Sequence, residues 1–250
     1  MELVKIKRGG LNLVGTLEKP ELKENETCPL VILMHGFTGN RMEPLHVNVA
    51  KELLKKGIAS VRFDFNGHGE SEGIFEDMTV MNEIEDGREI LRYAKSLPFA
   101  ENISILGHSQ GGVVAGMLAG YYPHEFTCLV QMAPAATLKD DAIKGTLMGT
   151  EYDPSNIPEY IQFWDKRLSS LYFRIAQKLP IYEVSAQFQG PVCLIHGTKD
   201  PIVSYTASQR YYDVYADSKL HLMDGQDHGF TNALDEATAI AVNFILEKVK

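Results

Sequence analysis

The sequence predicts a three-layer α/β sandwich on a mostly parallel sheet, opened by an antiparallel hairpin and interrupted once by an inserted segment. Three observations carry this. Short apolar runs such as PLVILMHG and NISILGH are continuous rather than alternating, as strands covered on both faces are. Helical patterns follow these runs over short connections. The alternation lapses once, between Pro134 and Gln189.

The elements follow in order. Glu2–Arg8 and Leu11–Glu18 alternate apolar and polar residues around Gly9-Gly10, which predicts an antiparallel hairpin. PLVILMHG is a strand, LHVNVAKELLKKG a helix stopped by Gly57, and IASVRFDF a strand. TVMNEIEDGREILRYAKSL is a long helix with Thr79 as its N-cap. NISILGH, VVAGMLAGYY and TCLVQMAP read as strand, helix and strand. Residues 135–189 are polar and aromatic with helical patches, too long for a plain connection in a compact domain. They are expected to form an inserted cap within a single domain of residues 1–250. The pattern resumes with PVCLIHG (strand), SYTASQRYYDVYA (helix), KLHLMDG (strand) and ALDEATAIAVNFILEKVK (helix).

Length and composition fit one globular domain with an ample core: 250 residues, 44% hydrophobic and 23% charged. A formal charge of -9 argues against nucleic acid or an anionic membrane as the main partner. Cys28, Cys128 and Cys193 are odd in number and lack metal-ligand spacing. Cys128 and Cys193 sit in apolar runs and read as buried free thiols, which fits a reducing compartment. No apolar run is long enough to span a bilayer, and no signal-peptide core precedes the first glycines. The expected location is the cytoplasm. Oligomeric state is left open, and a homodimer is compatible with the chain.

The chemistry starts at Gly107-His108-Ser109-Gln110-Gly111, a G-x-S-x-G pattern between a strand and a helix. A strand that turns abruptly into a helix strains the corner residue and exposes its side chain above the sheet. Small neighbours let the backbone pass close by. A phosphate-holding turn would carry a G-x-x-x-x-G-K-[ST] or G-x-G-x-x-G arrangement instead, and neither is present. Ser109 is therefore read as a nucleophile, which needs a base and an orienting carboxylate. His228, in DGQDHGF, follows the last strand at the same sheet edge and is the expected base. Asp200, just after the preceding strand in LIHGTKDPIV, is the expected acid. Its rivals are Asp224, a turn residue, and Asp227, which adjoins His228 and should point elsewhere. The oxyanion donors are expected to be the backbone N–H groups of Gln110 and Phe37. His35 and His196 close strands beside glycines and could simply pack under loops. His108 should diverge from Ser109.

DFNGHGESEG resembles a calcium loop, but Phe75 stands where the closing Glu should be. A turn stabilised by Asp64 and Ser71 accounts for it better. Neither a metal nor a cofactor is expected. The inserted segment holds Tyr152, Tyr160, Phe163, Trp164, Tyr172 and Phe173. Most such rings should form its own core, while some could face Ser109 and stack on an apolar acyl group. Asp140 and Asp141 read as a solvated helix start, or as a partner for a substrate hydroxyl.

HGFTGNRME, RFDFNGHGESEG, FEDMTVMNEIEDG, GHSQGG, HGTKDPIV and DHGF together resemble the bacterial cinnamoyl (feruloyl) esterases. These are serine esterases of the α/β-hydrolase fold, and the similarity spans nearly the whole chain. The resemblance implies hydrolysis of hydroxycinnamate esters, such as ferulate on plant cell-wall sugars. It carries the nucleophile, acid and base onto Ser109, Asp200 and His228, and the oxyanion donors onto Phe37 and Gln110. It implies a small α/β cap, in which Asp141, Trp164 and Tyr172 match acyl-pocket residues. The expected partner is then a small-molecule ester, with no nucleic acid and no membrane. Alternatives are a monoacylglycerol lipase, a short-acyl carboxylesterase, or a non-catalytic binding protein on the same scaffold.

Overall fold

The computed structural model describes residues 1–249 and begins with the expected hairpin. Strands β1 (Glu2–Arg8) and β2 (Leu11–Glu18) pair antiparallel, with Glu2 opposite Leu17 and Arg8 opposite Leu11. There follow β3 (Cys28–Met34), α1 (Pro44–Lys55), β4 (Ala59–Phe63) and one 3₁₀ turn at Phe75–Asp77. Next come α2 (Val80–Ser96), β5 (Ala100–His108), α3 (Gln110–Tyr121) and β6 (Leu129–Met132). The Thr79 hydroxyl accepts from the Asn82 N–H at 3.1 Å, capping α2 as its sequence requires.

Residues between β6 and the next long strand build α4 (Thr137–Lys144), β7 (Thr146–Leu147) and β8 (Thr150–Glu151). They continue with β9 (Tyr160–Phe163), β10 (Lys166–Ser169), α5 (Ser170–Ala176) and α6 (Ile181–Ser185). The two small hairpins, β7–β8 and β9–β10, stand where the residue pattern showed only helical patches and the family resemblance implied an α/β cap. Strands of two to four residues are too short to display a period of two, so sequence pattern cannot reveal them. The chain closes with β11 (Val192–Gly197), α7 (Thr206–Val214), β12 (Ser218–Met223) and α8 (Leu234–Lys248).

The main sheet has eight strands in the order β1-β2-β4-β3-β5-β6-β11-β12. Its first two pairings, β1–β2 and β2–β4, are antiparallel and the rest are parallel. Strand β3 shows why the apolar runs are continuous. Leu30, Ile32 and Met34 enter the core shared with α2 and α3, whereas Val31 and Leu33 enter the core shared with α1 and α8. All five are at most 1% exposed, and each such side chain contributes roughly 1.5–3 kcal/mol by burial. Helix α3 is buried on nearly every side, consistent with its Gly- and Ala-rich sequence. The three cysteines are free and buried. Among the described residues no helix is long and apolar enough to cross a membrane.

Register places the site. Met34 pairs with Gly107, His108 with Met132, Met132 with Ile195, and Gly197 with Met223. The loops after β3, β5, β11 and β12 therefore leave one edge of the sheet together. Connectivity from β3 departs to β4 on one side while β5 lies on the other, the switch point at which open α/β sheets form a crevice.

Candidate active site

Ser109 sits at the corner between β5 and α3 with φ 55° and ψ −125°. This left-handed conformation is rare outside glycine and costs of order 1–3 kcal/mol. Backbone bonds hold it: Ser109 N–H donates to the Met132 carbonyl at 2.9 Å, and the Ser109 carbonyl accepts from Gly112 N–H at 2.9 Å and from Ala135 N–H at 3.0 Å. The flanking glycines are needed for close approach. A Cβ on Gly107 would collide with the Gly111 carbonyl, and one on Gly111 with the carbonyls of Met34 and His35. The helix thus starts directly against the end of β3. Ser109 itself is only 8% exposed.

The loop after β3 is pinned on both sides of Phe37. Neutral His35 donates from Nδ1 to the Gly36 carbonyl at 2.8 Å and accepts the Phe65 N–H on Nε2 at 3.0 Å. Beyond it, Arg41 N–H donates to Asp64 Oδ1 at 2.7 Å, and the Arg41 guanidinium pairs with Asp64 and Glu70. Asp64 also accepts from Glu70 N–H, and Ser71 Oγ donates to the Asp64 carbonyl at 2.7 Å. The segment DFNGHGESEG is accordingly a loop brace, as its Asp64–Ser71 reading anticipated. The backbone N–H groups of Phe37 and Gln110 have no partner among the described residues.

At the far strands, His228 Nδ1 lies 2.6 Å from Asp200 Oδ2. Asp200 is a convergence point. Its Oδ1 accepts from the N–H groups of Ile202 and Val203 at 2.8 and 2.9 Å, and Oδ2 also meets His196 Nε2 at 3.1 Å. Burial pushes the carboxyl up, but the bonds from His196, His228 and Val203 outweigh it and hold Asp200 far below the usual carboxylate range. An ionised carboxylate can only accept, so His228 Nδ1 is the donor of this pair, and in the neutral ring Nε2 is the nitrogen left to accept. Asp227 instead accepts from Thr231 N–H, and Asp224 from the Thr198 hydroxyl.

Two histidines do more than pack. His196 is fully buried, bonding Asp200, Ser208 and the Val203 carbonyl. Its i, i+4 spacing to Asp200 at a strand end was the available signal. His108 diverges from Ser109 as expected, and its Nε2 donates to the His228 carbonyl at 2.9 Å. Burial, reinforced by neighbouring His228, lowers His108 to about 3, so it stays neutral. This bond ties the residue beside Ser109 to the His228 loop.

Above Ser109 lies a cavity of about 430 Å³ between the sheet edge and residues 135–189. Of the expected residues, Phe37, Ser109, Gln110, Asp141, Trp164 and Tyr172 line it, whereas Asp200 and His228 do not. Asp140 turns away to pair with Arg210 at 2.9 Å. Burial raises the Asp141 carboxyl above the usual range. Trp164, 64% exposed, occupies the tip of the β9–β10 hairpin with φ 49°. Tyr172 turns its ring to the cavity but donates its hydroxyl to Gln110 Oε1 at 2.7 Å. Phe163 and Phe173 are buried, as rings of a local core should be, and Phe173 also lines the cavity.

A family model described as serine aminopeptidase, S33 (Hydrolase_4), matches residues 25–174. The solved structure of Est1E from Butyrivibrio proteoclasticus with bound ferulic acid superposes with a TM-score of 0.94. It is 35% identical, over 98% of this chain and 99% of that one. Monoacylglycerol lipase from Mycolicibacterium smegmatis is 24% identical over 241 residues, covering 86% of this chain and 84% of its own length. Lysophosphatidylserine lipase ABHD12 from Danio rerio is 25% identical over 194 residues, covering 76% of this chain. The match spans only 48% of that longer protein.

Proposed function

We propose a substrate class for this chain, which belongs to the Hydrolase_4 family and is a serine hydrolase of the esterase and lipase type: it hydrolyses hydroxycinnamate esters, of the ferulate kind, through an acyl-enzyme. The observation that carries the chemistry is the Asp200–His228 pair at 2.6 Å, on the loop edge shared with a strained serine below an aromatic cavity. In this reading Ser109 Oγ attacks the ester carbonyl while His228 Nε2 takes its proton. Asp200 holds the imidazole in the required tautomer and stabilises the imidazolium. The N–H groups of Phe37 and Gln110 receive the oxyanion, helped by the positive end of α3. His228 then protonates the departing alcohol, and water repeats the sequence on the acyl-enzyme. No cofactor enters any step.

The substrate class rests on the cavity and on the likeness to Est1E, whose structure holds ferulic acid. Residues 135–189 serve as a cap whose Trp164 and Tyr172 rings flank a planar acyl group. Asp141, with its raised pKa, offers a hydrogen-bond partner to a phenolic hydroxyl. The test is to compare kcat/KM for methyl ferulate, a monoacylglycerol and 4-nitrophenyl acetate. Methyl ferulate should be fastest, and Ser109→Ala should lose about 10⁴-fold or more on every ester. Faster hydrolysis of the monoacylglycerol would overturn the assignment. It would favour the second reading, a monoacylglycerol lipase, which the Mycolicibacterium relative and the apolar cavity wall support.

A further inference from the structure

Two buried carboxylic acids of α2, Glu83 and Asp86, stand one helical turn apart on the same face and take no part in the chemistry above. Asp86 is explained locally: it accepts from Asn66 N–H and Asn66 Nδ2 at 2.8 and 2.7 Å, and from Arg8 at 2.5 Å. Glu83 is not. Its Oε2 accepts from Gln110 Nε2 at 2.8 Å, and Gln110 Oε1 accepts from the Tyr172 hydroxyl at 2.7 Å. A core helix, the first residue of α3 and the segment over the cavity are thus joined by two short bonds. Phe37 reaches the same segment: its ring stacks on Phe163 with centroids 5.4 Å apart and lies 5.9 Å from the Tyr172 ring. Both residues whose backbone N–H groups are free beside Ser109 therefore turn their side chains to Tyr172.

Building on the serine-hydrolase reading, we propose that Glu83 and Tyr172 are positioning residues that couple the seating of the cap to the geometry of the oxyanion hole. Neither touches the reacting atoms. Tyr172 holds Gln110 from the cap side and Glu83 holds it from the core side, so the amide cannot swing into the cavity and the first turn of α3 stays fixed. The Tyr172 ring simultaneously backs Phe37. Oxyanion donors lose effect steeply with small displacements, so a cap that seats badly switches off the hole before it changes the triad. Burial pushes the Glu83 carboxyl well above the ordinary range, against the bond from Gln110. A glutamine in its place keeps an oxygen that can accept from Gln110 Nε2.

The experiment measures kcat and KM of the full chain for 4-nitrophenyl acetate and methyl ferulate in Tyr172→Phe, Glu83→Gln and Glu83→Leu, alongside labelling by a fluorophosphonate probe. Circular dichroism reports folding. Tyr172→Phe and Glu83→Leu should lower kcat by about tenfold to about hundredfold on both esters. The acetate KM should change less than about twofold, and labelling should slow in parallel. Glu83→Gln, which still accepts from Gln110, should stay within about twofold of the parent. An effect of Tyr172→Phe confined to methyl ferulate would overturn the proposal and leave Tyr172 as an acyl contact alone. Equal losses in Glu83→Gln and Glu83→Leu, or none in Glu83→Leu, would do the same. Should Glu83→Leu unfold, Tyr172→Phe decides. A parent chain that hydrolyses neither ester refutes the functional reading instead, a separate outcome.

Discussion

Replacing Asp200 by Asn is the sharpest probe of the site, because its outcome follows from which hydrogen bonds can adapt. An asparagine in that place has one acceptor and one two-proton donor. Two fixed donors, the N–H groups of Ile202 and Val203, converge on the Oδ1 position at 2.8 and 2.9 Å, and backbone donors cannot change role. The amide oxygen must face them, which turns the NH₂ toward His228 Nδ1 and His196 Nε2. His196 loses little, since its Nε2 also donates to the Val203 carbonyl at 3.0 Å. His228 has no such alternative and adopts the opposite tautomer, with Nε2 protonated and unable to accept the serine proton. In triads of this kind the wrong tautomer costs about 10⁴-fold in kcat, or about 5.4 kcal/mol in barrier height. The assay is steady-state turnover of 4-nitrophenyl acetate with active sites counted independently by mass. KM should move little, since Asp200 does not line the cavity. A kcat within tenfold of the parent would refute the tautomer reasoning and the assignment of Asp200.

Two further outcomes follow from packing and burial. Gly111→Ala should lose roughly 1–3 kcal/mol of stability and at least about tenfold in kcat, because its Cβ meets the backbone of Met34 and His35 and displaces the Phe37 loop. Gly57→Ala, in open space at φ 75°, should cost about 1 kcal/mol in denaturant unfolding with unchanged kcat. Equal kcat losses in the two variants would remove the close-packing argument. Stability should also fall on acidification. Burial holds His35, His68 and His108 below their ordinary pKa, with His108 at about 3. Below pH about 6.5 the unfolded chain therefore binds protons the native state refuses, and each group adds a slope approaching about 1.4 kcal/mol per pH unit. Glu83, Asp86 and Asp141, raised by burial, give the opposite slope above the ordinary carboxylate range, whereas the slope from the three histidines sets in at about pH 6.5 and deepens as pH falls. Thermal unfolding at pH 7.5 and 5.5 checks this; an equal or higher midpoint at pH 5.5 would contradict it.

The sequence by itself determined the α/β class, the hairpin and the mostly parallel sheet, because runs buried on both faces and capped helices are local patterns. It also picked out Ser109, Asp200 and His228 as residues that must gather at one edge, since parallel strands deliver their ends to the same side. The corner strain at Ser109 was legible for the same reason: a G-x-S-x-G between strand and helix leaves few backbone paths. Only the tertiary structure decided how that edge is held. His196 on Asp200, His108 on the His228 carbonyl, and the Glu83–Gln110–Tyr172 chain join residues 4, 120, 27 and 62 positions apart. Their partners are set by packing angles and side-chain reach, which no periodicity encodes. The short hairpins of residues 135–189 stayed hidden because two- to four-residue strands owe their existence to contacts rather than propensity. Trp164 at φ 49° is the extreme case: a bulky residue in a conformation its own sequence disfavours, kept there by the hairpin around it.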